Sequence, residues 1–137
     1  MKKLFTSLLL TGAVLLTGCA NSVNSAGVKT KLESNQYSVE IMSKTETEVR
    51  VKGINFNVTI TDAIYATKGP VEAYEDVFLA FFCANTDDAD SFMKENLSAL
   101  YYYAARFTSE PKVGVYNNCA YTGSEAGVKA AGFTLAQ

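Results

Sequence analysis

The residues with the most reactive chemistry in this sequence lie where a cysteine is followed by several acidic side chains. Three aspartates follow Cys83 within seven positions, at Asp87, Asp88 and Asp90. A thiol beside carboxylates could be a nucleophile, a metal ligand, one half of a disulfide, or part of the core. The sequence contains no histidine, which excludes Cys–His and Ser–His nucleophile pairs and the commonest zinc ligand sets. Nearby carboxylates raise a thiol pKa instead of lowering it, so a reactive thiolate at Cys83 is disfavoured.

The three aspartates could instead bind calcium. An EF-hand loop requires oxygen ligands at alternating positions, a glycine at the sixth position and a glutamate at the twelfth. Here Ala89 occupies one of the alternating positions, and Phe92 and Met93 replace the glycine and the later ligands. Acidic residues in the first turn of a helix, where they complement its dipole, explain the cluster better. We therefore predict neither a metal site nor a cofactor.

Aromatic residues are the candidate binding residues. Most of them belong to the core by default, but a strand that carries three successive tyrosines must point Tyr102 away from the face of Tyr101 and Tyr103. Because tyrosine is a favoured anchor at protein interfaces, some of this surface could bind a protein partner near a seam between helix and sheet. The candidate binding residues are Tyr74, Phe78, Phe82, Tyr101, Tyr102 and Tyr103.

Alternating apolar residues predict the strands that would position these side chains. Residues 36–42 and 47–52 alternate around a polar turn, which predicts a hairpin. The apolar phase changes at Gly53, which therefore marks a bulge or a tight turn into a third strand at residues 54–61. Two further strands are predicted at residues 101–107, the tyrosine-rich segment, and at 112–118.

Apolar spacings of three and four residues predict two central helices. The first begins at Pro70 and ends near Cys83, and the second begins at Asn85 or Thr86. The buried side of the second helix is predicted to be Ala89, Phe92, Met93, Leu97 and Leu100. The predicted fold is α+β, with a mainly antiparallel sheet of about five strands, two central helices packed on one face and one disulfide.

The first nineteen residues resemble a bacterial lipoprotein signal. Lys2 and Lys3 precede an apolar stretch that is too short to span a bilayer, and this stretch ends in Leu16-Thr17-Gly18-Cys19, which is similar to a lipobox. The resemblance implies cleavage before Cys19 and acylation of this cysteine with more than one chain, including palmitate, since a single chain anchors only marginally. Ala20 follows the cysteine, which in such lipoproteins favours the outer membrane, facing the periplasm.

This resemblance divides the chain into three parts. Residues 1–18 are the signal peptide, 19–35 the lipidated N-terminus and a flexible tether, and 36–137 one α+β periplasmic domain. Residues 120–137 are a weakly patterned tail, in which Ser124 and Glu125 could cap a short helix that ends at Gly132. The periplasm oxidises thiols, so the lipobox also implies a disulfide between Cys83 and Cys119, the remaining two cysteines.

Charge argues against a nucleic-acid partner. The chain holds 12 basic and 14 acidic residues, and without Lys2 and Lys3 its net charge is about −4. No cluster of lysine and arginine is present in the sequence, so a nucleic-acid interface is not expected. Nothing in the sequence indicates an enzyme, and we predict that the protein has no catalytic residues.

The order of the predicted helices and strands after the tether resembles that of one family of lipoproteins. The segments GPVEAYEDVFLAFFCANTDDADSFM and VGVYNNC are similar in order and cysteine placement to the disulfide-containing α/β pilotins of type II secretion systems. The resemblance implies an assembly factor that binds a helical segment at the C-terminus of a secretin. The alternatives are an inhibitor or exclusion lipoprotein that blocks a foreign enzyme or phage, and a structural component of the envelope.

Overall fold

The protein is built around a five-stranded antiparallel sheet. The computed structural model describes residues 22–70 and 76–134. The strands are β1 (Ser38–Met42), β2 (Ile60–Lys68), β3 (Asp76–Cys83), β4 (Lys112–Tyr116) and β5 (Cys119–Gly123), in the order β1-β2-β3-β5-β4. Every adjacent pair is antiparallel. The described helices are α1 (Ser25–Ser34), α2 (Lys44–Arg50), α3 (Thr86–Ala105) and α4 (Glu125–Ala130). This confirms the predicted α+β class and the number of strands.

Helices cover both faces of the sheet, so the prediction of helices on one face was wrong. Residues of α1 and α4, including Leu32 and Val128, pack on one face in a cluster with Phe78 and Tyr121. On the other face, α3 contributes Phe92, Met93, Leu100 and Tyr103 to a second cluster. The sheet is therefore the middle layer of three, and its central strand is shielded from water on both sides.

Strand β3 occupies the centre of the sheet, where a helix was predicted from Pro70 to Cys83. Its sequence DVFLAFFC is buried from its second residue to its last. A strand that is covered on both faces has no need of polar alternation, and a short continuous apolar run cannot be distinguished from a buried helix by its spacing alone. The first residues of the predicted helix, 71–75, lie outside the described part of the chain.

Helix α3 has 20 residues and continues through the three tyrosines to Ala105, so the predicted strand at residues 101–107 was wrong. Its start agrees with the prediction, because Asn85 is the N-cap and its side chain accepts a hydrogen bond from the Asp88 N–H at 2.8 Å. The buried positions continue at helical spacing from Ala89 through Leu100 to Tyr103 and Ala104. This packing outweighs the β propensity of the tyrosines.

Residues 44–50 form helix α2, where the second strand of a hairpin was predicted. The Ser43 hydroxyl accepts the Glu46 N–H, and the Glu46 carboxylate accepts the Ser43 N–H at 2.7 Å, which completes a capping box. This S-x-x-E capping signal is present in the sequence at residues 43–46, where a turn was predicted. Residues 54–59 are irregular, and the next strand begins only at Ile60.

The two ends of the described chain are more ordered than predicted. Helix α1 lies within the segment assigned to a flexible tether, and its Val28 and Leu32 are buried. The predicted weak tail contributes β5 and then α4, which Ser124 caps as expected. The predicted signal peptide and Cys19 lie outside the described residues. Within residues 22–70 and 76–134, no helix is both long and apolar enough to cross a membrane.

Candidate binding surface on helix α3

The largest exposed apolar side chains of α3 lie together on its C-terminal half. Tyr102 is 70% exposed, Leu97 49% and Tyr101 44%. Leu97 and Tyr101 are four residues apart and thus neighbours on one helix face. The rings of Tyr101 and Tyr102 meet edge to face, with their centroids 5.9 Å apart. We call these three residues the tyrosine patch.

The buried side of α3 determines where the tyrosine patch points. Leu100 and Ala104 are fully buried, and Tyr103 is 5% exposed. The Leu100 carbonyl also accepts a hydrogen bond from the Thr122 hydroxyl of β5 at 3.1 Å. Because these contacts fix the rotation of the helix about its axis, the neighbouring Tyr101 and Tyr102 must face away from the sheet.

The six predicted binding residues do not form one surface. Phe78 is fully buried and Phe82 is 2% exposed, since both lie on the central strand. Tyr103 also faces the core, and Tyr74 lies outside the described residues. Only Tyr101 and Tyr102 remain on a surface, and they are there because the segment is a helix. Leu97, which was predicted to be buried, is the additional member of the patch. Its spacing of four residues from Tyr101 places both side chains on one helix face, and this spacing could have identified it from the sequence.

Tyr103 does not contribute to the patch, because its hydroxyl end meets polar residues between the sheet and α2. Burial raises the pKa of its phenol well above the usual range, and a hydrogen bond to Tyr65 adds to this shift, whereas Arg50 opposes it. The Arg50 guanidinium carbon lies 4.0 Å from the centroid of the Tyr65 ring, and its Nη2 lies 3.6 Å from a Glu40 carboxylate oxygen. These contacts connect α2 to the sheet, and the raised phenol pKa makes Tyr103 a poor proton donor to a substrate.

Asn96 holds the irregular segment 54–59 against α3. Its Oδ1 accepts the Asn55 N–H at 2.7 Å, and its Nδ2 donates to the carbonyl oxygens of Asn55 and Phe92, both at 2.9 Å. The side chain is 1% exposed. An amide is required here because the site presents one donor and two acceptors.

We expect Asn96→Asp to destabilise the domain and to make its stability depend on pH. The carboxylate cannot donate to two carbonyl oxygens, and leaving buried groups unpaired costs about 1–3 kcal/mol each. Burial should raise the pKa of the introduced carboxyl above its unfolded value of about 3.9, so the folded state binds more protons. The free energy of unfolding should then fall as the pH rises from about 4 through the raised pKa. Urea titrations at several pH values measure this, and a profile parallel to that of Asn96→Ala would contradict it.

A cleft lies beside α2, at the end of the sheet where β1 ends and β2 begins. Its volume is about 380 Å³, within the size range of small-molecule sites. The apolar lining consists of Met42, Phe56, Val58, Ile60 and Ala63. The polar lining consists of Ser43, Lys44, Thr47, Thr59, Thr61 and Asp62. The Thr47 hydroxyl donates to the Ser43 carbonyl at 2.8 Å, and the Thr61 hydroxyl donates to the Phe82 carbonyl at 3.0 Å. The cleft therefore combines an apolar floor with a polar rim.

The predicted disulfide is not found, and Cys83 and Cys119 are both free and buried. Cys119 lies directly opposite Phe82 in the pairing of β3 with β5, so it is one residue out of register with Cys83. Side chains that follow one another on a strand point to opposite faces. The two thiols therefore project to different sides of the sheet, and a disulfide would require the backbone to move.

We expect the two thiols to react slowly in the folded protein and readily after unfolding. Cys83 is 3% exposed and Cys119 is inaccessible. Burial raises the pKa of Cys83 to about 11, and burial followed by the proximity of Cys83 raises that of Cys119, so little thiolate is present near pH 8. Alkylation of the domain from residue 22 onward, prepared without reductant, should add two groups in denaturant and almost none without it. If no group is added in denaturant, a disulfide is present after all.

The acidic cluster has the structural role that the sequence indicated. Asp87 and Asp88 lie in the first turn of α3, after the Asn85 cap. Within the described ranges, no group of three histidine, cysteine, aspartate or glutamate side chains is arranged to hold a metal ion. From their positions in the first turn, Asp87 and Asp88 complement the dipole of the helix that carries the tyrosine patch.

The tyrosine patch and the cleft beside α2 are thus two surfaces, among the described residues, with the geometry of binding sites. No protein-family model matches the chain, and no curated protein or solved structure matches it either.

Proposed function

We propose that this protein is a non-enzymatic lipoprotein, anchored through Cys19 in the outer membrane and facing the periplasm, that binds another protein through the tyrosine patch. The observation that carries the binding part of this proposal is the exposure of Tyr102, Leu97 and Tyr101 on one rigid helix. Tyrosine combines a large apolar ring with a hydroxyl and loses little conformational entropy on binding, which is why it is enriched at interfaces.

The chemistry of the patch favours an apolar protein segment as the partner. Its three side chains are uncharged, and the surrounding α3 surface carries both signs of charge, at Lys94 and at Glu95. Such a surface has no electrostatic preference for a polyanion. Aromatic anchors next to an aliphatic side chain are typical of the small set of residues that dominate binding energy.

A secretin is no longer the best-supported partner. The pilotin resemblance depended on a proline-led helix that ends at Cys83, and residues 76–83 form a strand. It also depended on a disulfide between Cys83 and Cys119, which are free. We therefore propose the binding of a protein partner without assigning it to that secretion system, and the identity of a captured protein separates the remaining possibilities.

Affinity capture from detergent-solubilised envelopes tests the proposal. The wild-type domain should retain a specific protein, and the double variant Tyr101→Ser/Tyr102→Ser should lose most of it, because hot-spot residues each contribute about 2 kcal/mol or more. Lys129→Ser, an exposed change on α4 at the opposite face of the sheet, is the control and should retain the partner.

The outcomes of this capture are distinct. Equal retention by the double variant would overturn the role of the patch. A captured enzyme whose activity the domain suppresses would identify an inhibitor, whereas a captured channel subunit would identify an assembly factor.

A further inference from the structure

The chain is fixed to the sheet almost immediately after the proposed lipid anchor. The Val23 N–H donates to Asn118 Oδ1 at 2.7 Å, and Asn118 Nδ2 donates back to the Val23 carbonyl at 3.2 Å. The same Nδ2 donates to the Cys83 carbonyl at 2.9 Å, and the Asn118 side chain is only 7% exposed. These bonds hold the start of the described chain against the junction of β3 and β5.

A second contact follows two residues later. The Ser25 hydroxyl donates to an Asp62 carboxylate oxygen of β2 at 2.6 Å, and the Asn24 side chain caps α1 by accepting the Gly27 N–H at 2.8 Å. Val23 itself packs against the first core cluster. The residues from Val23 onward therefore belong to the folded domain, which was predicted to begin at residue 36.

Three residues, 20–22, separate Cys19 from this attachment point. An extended chain spans at most about 3.3–3.6 Å per residue, so the α-carbons of Cys19 and Val23 are no more than about 14 Å apart. A link of this length cannot move the domain away from the lipid surface, in contrast to the tether of residues 19–35 that the sequence predicted.

The attachment point also determines which end of the sheet is near the membrane. β3 ends at Cys83 and β5 begins at Cys119, both beside Asn118, and β2 begins at Ile60, opposite Cys83. Helix α3 begins at the same end with its Asn85 cap and then runs back along the sheet to the start of β4. We call this the anchor end of the sheet.

We propose that the anchor end faces the lipid headgroups and that the tyrosine patch faces away from them. This inference depends on the lipidation of Cys19 in the proposed function. Tyr102 lies 16 residues beyond Thr86, which corresponds to about 24 Å along α3 at 1.5 Å per residue. The partner of the patch is then a protein segment in the periplasmic space, because a segment embedded in the bilayer surface would not reach it.

The surface around the attachment point is polar, and its exposed residues include the helix-capping Asn24 and Asn85, with Asp87 in the following turn. These three residues form neither an apolar wedge nor a basic cluster, the features that bind a surface to lipid. The cleft beside α2 lies at the same end of the sheet, with Val58 and Ile60 in its lining. We assign the position of the anchor end to the short link, and a longer link tests whether the cleft contributes an affinity for lipid.

Two exposed alanines provide a matched pair of reporter positions, Ala84 at the anchor end and Ala105 at the far end of α3. Each is replaced by cysteine and labelled with a fluorophore in lipidated protein, in vesicles of phosphatidylethanolamine and phosphatidylglycerol that carry a headgroup nitroxide. The buried Cys83 and Cys119 are not expected to take up the label, which a sample without an added cysteine checks. Position 84 should be quenched several-fold more than position 105.

A spacer variant separates the short link from an intrinsic lipid affinity. A flexible insertion of about 20 glycine and serine residues between Ala20 and Asn21 has a root-mean-square length of about 25 Å. This insertion should greatly reduce the difference in quenching between positions 84 and 105. A domain without the lipid should show no quenching at either position.

The intact mass of the protein distinguishes a failure of the proposed orientation from a failure of the proposed function. Equal quenching at the two positions, with the lipid confirmed by mass, would overturn this inference and leave the proposed function intact. Absence of the lipid in protein from the native envelope would overturn both.

Discussion

Phe78→Ala is expected to lower the free energy of unfolding by about 3–5 kcal/mol, which is the usual cost of removing a fully buried aromatic ring. Phe78 lies on the central strand with no exposed surface, and its ring centroid is 5.4 Å from that of Phe133 in an edge-to-face contact. Since small domains are stable by about 5–15 kcal/mol, this loss could unfold much of the protein. Urea denaturation followed by circular dichroism measures it.

Tyr102→Ala is the matched control, because it removes an aromatic ring that is 70% exposed. Substitutions at such surface positions usually change stability by less than about 0.5 kcal/mol. If Phe78→Ala is too unstable to purify, Phe78→Leu should give a smaller and measurable loss. Equal, small effects at positions 78 and 102 would contradict the burial of β3 between two helical layers.

Cys19→Ala is expected to abolish incorporation of radiolabelled palmitate completely, since Cys19 directly follows the signal-like sequence and the other two cysteines, Cys83 and Cys119, lie far from it along the chain. Without acyl chains the anchor is lost, and no described helix can replace it as a membrane span. Because an unprocessed signal could itself hold the variant in a membrane, a second form is exported by an ordinary cleavable signal and begins at Ala20. This form should be recovered entirely from the soluble periplasmic fraction.

Cys83→Ala provides the control for this measurement. Cys83 is a buried thiol, so its loss should leave palmitate incorporation unchanged while reducing the yield of folded protein. Persistent labelling of the Cys19→Ala protein would contradict the lipobox interpretation, and so would full membrane retention of the form that begins at Ala20.

The sequence predicted the class of the fold but misassigned several elements. Apolar residues at positions 77–83 fit a helical stripe as well as a doubly covered strand, and only the helices on both faces, far away in sequence, decide between them. Residues 101–103 show the opposite case, because their β propensity is overridden by the burial of Leu100, Tyr103 and Ala104 on one side of a helix. In contrast, the acidic residues after Cys83 correctly predicted the start of α3.

The candidate site was predictable only in part, because exposure is a property of the packed molecule. Tyr101 and Tyr102 were among the six candidate binding residues and are exposed, but the predicted strand would have placed them on opposite faces of the sheet. No signal in the sequence indicated that Asn118 would bind Val23, since the two residues are 95 positions apart. The proposed short link to the anchor, and the orientation of the patch that we infer from it, depend on these long-range hydrogen bonds.

Photo-crosslinking from position 102 in intact cells tests the central claim most directly. A photoreactive phenylalanine analogue replaces Tyr102, and the same analogue replaces Lys129, which is exposed on α4 at the opposite face of the sheet. The account predicts one discrete crosslinked protein from position 102 and much less of it from position 129. No crosslinked protein from position 102, or the same yield from both positions, would contradict binding through the tyrosine patch.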